Sequence, residues 1–165
     1  MELGSVVWSR QLWRSCAWIC LFALAALCGC SEDYPNLPRL GPADVVLAFG
    51  DSLTYGTGAR QGESYPEVLS GLIGRTVVSE GVPGERTAQW LERLTYVLDM
   101  HQPRIMLLCL GGNDMLRKVD AGETESNLRQ MIDTATARGI GVVLIGVPKP
   151  ALLGGTAPFY ERIAA

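Results

Sequence analysis

The 165 residues include a single histidine, His101, so any site that needs two imidazoles is excluded. There is no excess of positive charge: 14 Lys+Arg stand against 17 Asp+Glu, and no stretch clusters them. An electrostatic footprint for nucleic acid is therefore excluded as a working hypothesis. No apolar run reaches the roughly 18–20 residues that a spanning helix needs. There is no internal repeat and no low-complexity tract. With 48% hydrophobic and 19% charged residues, the chain is too apolar for disorder and too charged for a polytopic membrane protein. The length suits one globular domain.

The first thirty residues differ from the rest. Arg10 and Arg14 precede an apolar run from Ala17 to Cys28. A basic stretch followed by a short apolar one reads as an export signal. Its end, Leu27-Cys28-Gly29-Cys30, resembles a bacterial lipobox, with Cys28 a departure from the usual residues at its place. That resemblance implies a signal over residues 1–29, cleavage before Cys30, and a lipid on Cys30. The protein is then expected at the periplasmic face of a bacterial membrane, the outer one by its Ser31-Glu32-Asp33 sequel. Cys16, Cys20 and Cys28 leave with the signal, so Cys109 is the one free thiol. Within its apolar run it reads as a small buried hydrophobe. Residues 30–43, with Pro35, Pro38 and Pro42, read as a tether, and residues 44–165 as the domain.

The body alternates strands and helices. Val45 to Phe49 is a continuous apolar run, the pattern of a strand buried on both faces. Tyr65 to Ile73 reads as a helix with Val68, Leu69, Leu72 and Ile73 on one stripe. Thr76–Val78 is a second strand, Thr87 to Met100 a second helix, and Ile105 to Leu110 a third strand. Asp120 with Glu123 marks a helix start, and Gly139 its end. Val142 to Val147 is a fourth strand, and Phe159 to Ala165 opens a further helix. This order predicts an α/β fold, a three-layer doubly wound parallel sheet. Sites in such sheets lie at the carboxyl ends of the strands.

Three of those ends carry polar, glycine-marked loops: Gly50-Asp51-Ser52-Leu53, Gly81-Val82-Pro83-Gly84-Glu85 and Gly111-Gly112-Asn113-Asp114. Ser52 sits where a strand turns into a helix, whose N-terminus would favour developing negative charge. It is a hydroxyl presented as a nucleophile. Gly84 leaves a backbone N–H open to a substrate oxygen, and the Asn113 amide can donate to the same oxygen. With the Ser52 N–H these make a candidate oxyanion hole for acyl transfer. Asp51 and Asp114 read as acceptors that fix the loops.

These blocks, in this order, resemble the SGNH (GDSL) hydrolases, in the thioesterase/lysophospholipase/arylesterase branch. The resemblance covers about Asp44 to Val147 and beyond, and Ser79 departs from the family's usual Asn. It implies a flavodoxin-like fold, no metal or organic cofactor, and an acyl-enzyme on Ser52. The implied partner is an ester, of lipid or aryl type, with acetylated carbohydrate as the alternative substrate class.

The family's last block, Asp-x-x-His, supplies the general base and its orienting acid. No Asp-x-x-His occurs in the 165 residues. The last strand and catalytic loop of the family fold are accordingly expected to be missing, and the chain to be a C-terminal truncation, inactive by itself. The edge of Val142-Val143-Leu144-Ile145 would then be open to aggregation. His101 is expected in a loop at the amino edge of the sheet, roughly 20 Å from Ser52 across a strand of about six residues. The remaining alternative is a non-catalytic remnant or ligand-binding module.

Overall fold

A computed structural model of the chain describes residues 37–150 and 155–165. The export signal, Cys30 and the start of the tether lie outside the described residues. The compact unit runs from Leu37 to Ala165. Within the expected tether, Leu40 packs beside Val46, Ile105 and Leu107. Pro38 stands close against Gly141. An apolar side chain beside a sheet gains more from burial than from water, so this part of the linker joins the domain.

The described elements are β1 (Val45–Gly50), α1 (Ser52–Tyr55), α2 (Tyr65–Ile73), β2 (Thr76–Gly81), α3 (Thr87–His101), β3 (Ile105–Cys109), α4 (Gly112–Leu116), α5 (Ala121–Thr136), β4 (Gly141–Leu144) and α6 (Pro158–Ala164). The four strands form one sheet in the order β2-β1-β3-β4. All three pairings are parallel. This is the doubly wound arrangement expected from the sequence. The chain leaves β1 for β2 on one side and then crosses to β3 on the other, so the crevice between β1 and β3 is the switch point.

Side-chain alternation divides the core into two faces. Leu47 and Phe49 of β1 and Met106 and Leu108 of β3 pack under α3, α5 and α6. Trp90 is fully buried at its centre, with the Phe49 ring 4.2 Å away edge-on. Burying each such side chain contributes about 1.5–3 kcal/mol. Val46, Ile105 and Leu107 point the other way, towards Tyr65 and Leu69 of α2.

Asp120 caps α5 by accepting from the N–H groups of Gly122 and Glu123 at 2.9 and 3.1 Å. The Glu67 carboxylate accepts from the Ser64 N–H ahead of α2 at 3.2 Å. Four readings need correction. Only Leu69 of the α2 stripe packs on the sheet, while Val68, Leu72 and Ile73 are exposed; α2 lies over one side of the sheet and turns the rest of its apolar face outward. β2 continues to Gly81, because its ladder with β1 extends that far. β4 ends at Leu144, after which Ile145 keeps one bond to Leu108 O and Pro148 pairs with Thr156 instead. His101 is the last residue of α3, not a loop residue.

Candidate active site

Register brings the strand ends together. Gly50 pairs with Gly81 on one side and Cys109 on the other. The residues that follow each strand therefore leave the sheet at one edge. A side chain at Gly50 would stand 2.6 Å from the Cys109 carbonyl, so only glycine lets β1 turn here.

Ser52 opens α1 and is half-buried. Asp51 caps this turn, its Oδ1 accepting the Leu53 N–H at 3.0 Å. α1 is a single turn, so its dipole is small, because a macrodipole needs many aligned peptides. What the turn offers is its unbonded amide. Among the described residues neither the Ser52 N–H nor the Gly84 N–H is bonded to an acceptor.

Gly84 adopts φ +82°, a left-handed conformation that favours glycine. Apart from its chain neighbours, the one heavy atom within 4 Å of where a Cβ would stand is Arg117 Nη2, at 3.7 Å.

Asn113 joins the three loops. Its Nδ2 donates to Glu85 O at 3.0 Å and to Asp51 Oδ2 at 3.2 Å. Both amide hydrogens are engaged, so donation to a substrate oxygen would replace one bond, the longer one to Asp51 being the weaker. Asp51 is buried, and burial holds its carboxyl above the ordinary value of 3.8. The Leu53 N–H opposes that shift and the nearby Asp114 charge reinforces it.

Asp114 is buried as well and acts on a neighbouring segment. It accepts from the Thr87 N–H at 3.0 Å and from the Thr87 hydroxyl at 2.6 Å. Asn127 of α5 donates in turn to Thr87 Oγ1 at 3.0 Å. This chain fixes the start of α3, and with it the loop that carries Gly84. Sequence reading missed Thr87 and Asn127. A buried-acceptor network has no local signature, since its partners lie 27 and 40 residues apart.

A second brace was also missed. Arg93 of α3 lies 3.3 Å from Glu80 and 3.8 Å from Glu85, the residues on either side of the Gly81–Gly84 turn. Its guanidinium stacks 4.1 Å over the Trp90 ring. His101 Nε2 is 2.8 Å from Glu80 Oε1, so the imidazole belongs to this brace.

Beneath Ser52, the Thr54 and Tyr65 hydroxyls are 2.9 Å apart, and Ser79 donates to the Thr54 carbonyl at 3.0 Å. Serine at 79 thus supports the turn that presents Ser52. Cys109 is free and buried, and burial pushes its thiol up to about 11. It therefore stays a neutral, apolar neighbour.

The structure thus brings Ser52, Gly84 and Asn113 to one edge of the sheet and leaves His101 in the α3 brace. A hydroxyl at the same sheet edge as two free amides and a carboxamide is a set that can attack a carbonyl and hold the oxygen that becomes negative.

The family model described as the GDSL-like Lipase/Acylhydrolase family matches residues 48–165. The chain is 35% identical over 118 residues to the thioesterase 1/protease 1/lysophospholipase L1 of Escherichia coli strain K12, matching 70% of this chain and 57% of that protein. It is 32% identical over 117 residues to an arylesterase of Vibrio mimicus, matching 68% of this chain and 58% of the relative. The chain therefore spans less than two thirds of the length of these curated relatives. Among solved structures, AlinE4, an SGNH-hydrolase family esterase, superposes with a TM-score of 0.66 at 34% identity, over 76% of this chain and 70% of that one. TesA does so at 0.65 and 27% identity, over 73% and 70%.

Proposed function

We infer the function from one premise: this chain belongs to the GDSL-like lipase/acylhydrolase family. It is a serine esterase of carboxylic esters, with Ser52 as nucleophile. The observation that carries this reading is the single amide of Asn113 joining the Asp51 turn to the Glu85 carbonyl beside Gly84. Ser52 Oγ attacks the ester carbon. The carbonyl oxygen takes the negative charge and is held by the Ser52 and Gly84 N–H groups and the Asn113 amide. Collapse expels the alcohol or thiol and leaves an acyl group on Ser52, which water then removes. Every step is proton transfer and acyl transfer, and no cofactor is required.

The proton needs an acceptor. The only imidazole of the sequence is His101, and Glu80 engages it. These 165 residues therefore supply nucleophile and oxyanion donors without a base at the site. Loss of the base in a serine hydrolase costs about 10⁶ in kcat, and oxyanion donors alone leave about 10³–10⁴ over water. The 165-residue chain by itself is accordingly a slow enzyme. The position of His101 favours, as a second reading, a module that binds esters without turning them over.

The relatives' names support aryl esters, lysophospholipids and acyl thioesters as the substrate class, with acetylated carbohydrate as the alternative. Purified chain assayed on 4-nitrophenyl esters of increasing acyl length separates these readings. Slow hydrolysis abolished by Ser52→Ala supports the esterase, and a preference for acetyl would favour the carbohydrate class. Saturable binding with no Ser52-dependent release of nitrophenol supports the second reading. Hydrolysis unchanged in Ser52→Ala would place the nucleophile elsewhere.

The Cys30 motif supports a lipoprotein on the periplasmic face of a bacterial membrane, with the membrane as partner through the lipid. Among the described residues no helix is long and apolar enough to cross a membrane.

A further inference from the structure

Two acids beside the candidate site are hydrogen-bonded, and a third is ion-paired through one of its oxygens. Asp51 accepts from Leu53 and Asn113, Asp114 from Thr87, and Glu85 pairs with Arg93. Arg117 is different. It is exposed, and among the described residues no carboxylate lies within 4 Å of it and no side-chain hydrogen bond holds it. Its backbone is fixed, because its N–H donates to Asn113 O at 3.0 Å. Its guanidinium reaches over Gly84, with Nη2 3.7 Å from the point a Cβ would occupy. Lys118 follows at φ +55° and is also exposed, and among the described residues no carboxylate lies within 4 Å of its ammonium.

A planar fork of N–H donors over Gly84, the candidate oxyanion donor, suits a carboxylate or phosphate better than an alkyl group. We infer that Arg117 is a specificity-determining residue that selects esters carrying an anionic group close to the scissile carbonyl. This rests on the reading of Gly84 as an oxyanion donor. The anion could sit on the acyl side or on the alcohol side of the ester, and both present the same chemistry to Arg117.

Binding to the Ser52→Ala protein tests this without relying on turnover. Three probes of similar size are compared by calorimetry: phenyl hexanoate, which is neutral; 4-hexanoyloxybenzoate, charged on the alcohol side; and monophenyl adipate, charged on the acyl side. At least one anionic probe is expected to bind about tenfold more tightly than the neutral one. That ratio should fall to about one in Ser52→Ala/Arg117→Gln, survive in part in Ser52→Ala/Arg117→Lys, and shrink as salt is raised. Arg117 supports no other side chain, so the Gln variant should melt with its parent. Equal affinity for all three probes, a preference that survives Arg117→Gln, or no binding at millimolar concentration overturns the inference. Absence of Ser52-dependent turnover in the unmutated chain would instead count against the esterase reading, and leaves the Arg117 comparison standing.

Discussion

The Asn113 side chain donates to the Asp51 carboxylate at 3.2 Å, across 62 residues of sequence. That bond ties the turn after β1 to the turn after β3, with the candidate nucleophile next to one partner and a candidate oxyanion donor as the other. Removing the amide should affect both rate and fold. In a form with measurable esterase activity, Asn113→Ala is expected to lower kcat by about 10²–10³. It should also lower stability by about 1 kcal/mol, because the Glu85 carbonyl loses its donor. Ester hydrolysis and a urea titration on the same preparation check the two effects. Unchanged kcat would remove Asn113 from the oxyanion site.

Asp114 should matter for stability ahead of chemistry. Asp114→Ala leaves the Thr87 N–H and hydroxyl without their acceptor inside the core. The expected loss is about 2–4 kcal/mol by the cost of unsatisfied buried groups. A double-mutant cycle with Thr87→Val measures the coupling. Additive losses would show that the two residues act independently.

Arg93 braces both ends of the turn that carries Gly84. Its ion pairs are partly exposed, so Arg93→Gln should cost no more than about 1 kcal/mol in stability. The rate should nonetheless fall several-fold with KM little changed, because the Gly84 amide loses its fixed position, and Arg93→Lys should restore part of it. Rate loss matched by an equal rise in KM would contradict a role in positioning.

The hold of α6 on α5 should weaken in acid. Hydrogen bonding from Arg162, and then from Arg129, holds the Glu125 carboxyl below its ordinary value of 4.5. A lowered folded value means that the stabilisation is present above the ordinary value and is lost as pH falls through the folded one. Protection of the amides of residues 159–164, relative to their intrinsic exchange rates at each pH, should therefore fall below about pH 4.5. Glu125→Gln should remove that pH dependence, and an unchanged profile in the variant would refute it.

Cys30 is expected to carry lipid. In a Gram-negative host, labelled palmitate should enter the full chain and vanish in Cys30→Ala. Two or more acyl chains suffice for stable anchoring, since each buried CH₂ contributes about 0.8 kcal/mol. Label retained in the variant would exclude the site.

Local chemistry was enough to fix much of the fold. The apolar runs Val45–Phe49 and Ile105–Leu110 read as strands buried on both faces and fall on β1 and β3, and the Asp120 cap set the start of α5. Glycine-marked turns after three of the strands identified Ser52, Gly84 and Asn113 as candidates, because turn chemistry is written in consecutive residues. Other features depended on partners distant in sequence. Nothing near Thr87 says that Asp114 and Asn127 will bond it, nothing near Arg93 says that it spans Glu80 and Glu85, and nothing near His101 says that Glu80 engages it. The outward turn of Val68, Leu72 and Ile73 was equally illegible, since helical periodicity reveals that a stripe exists but not what lies opposite. Arg117 over Gly84 is of the same kind: the sequence shows a basic residue shortly after Asn113, and only the tertiary structure sets its guanidinium over Gly84. Short-range rules act along the chain, whereas charge pairing and burial act through space, and for those the tertiary structure decides.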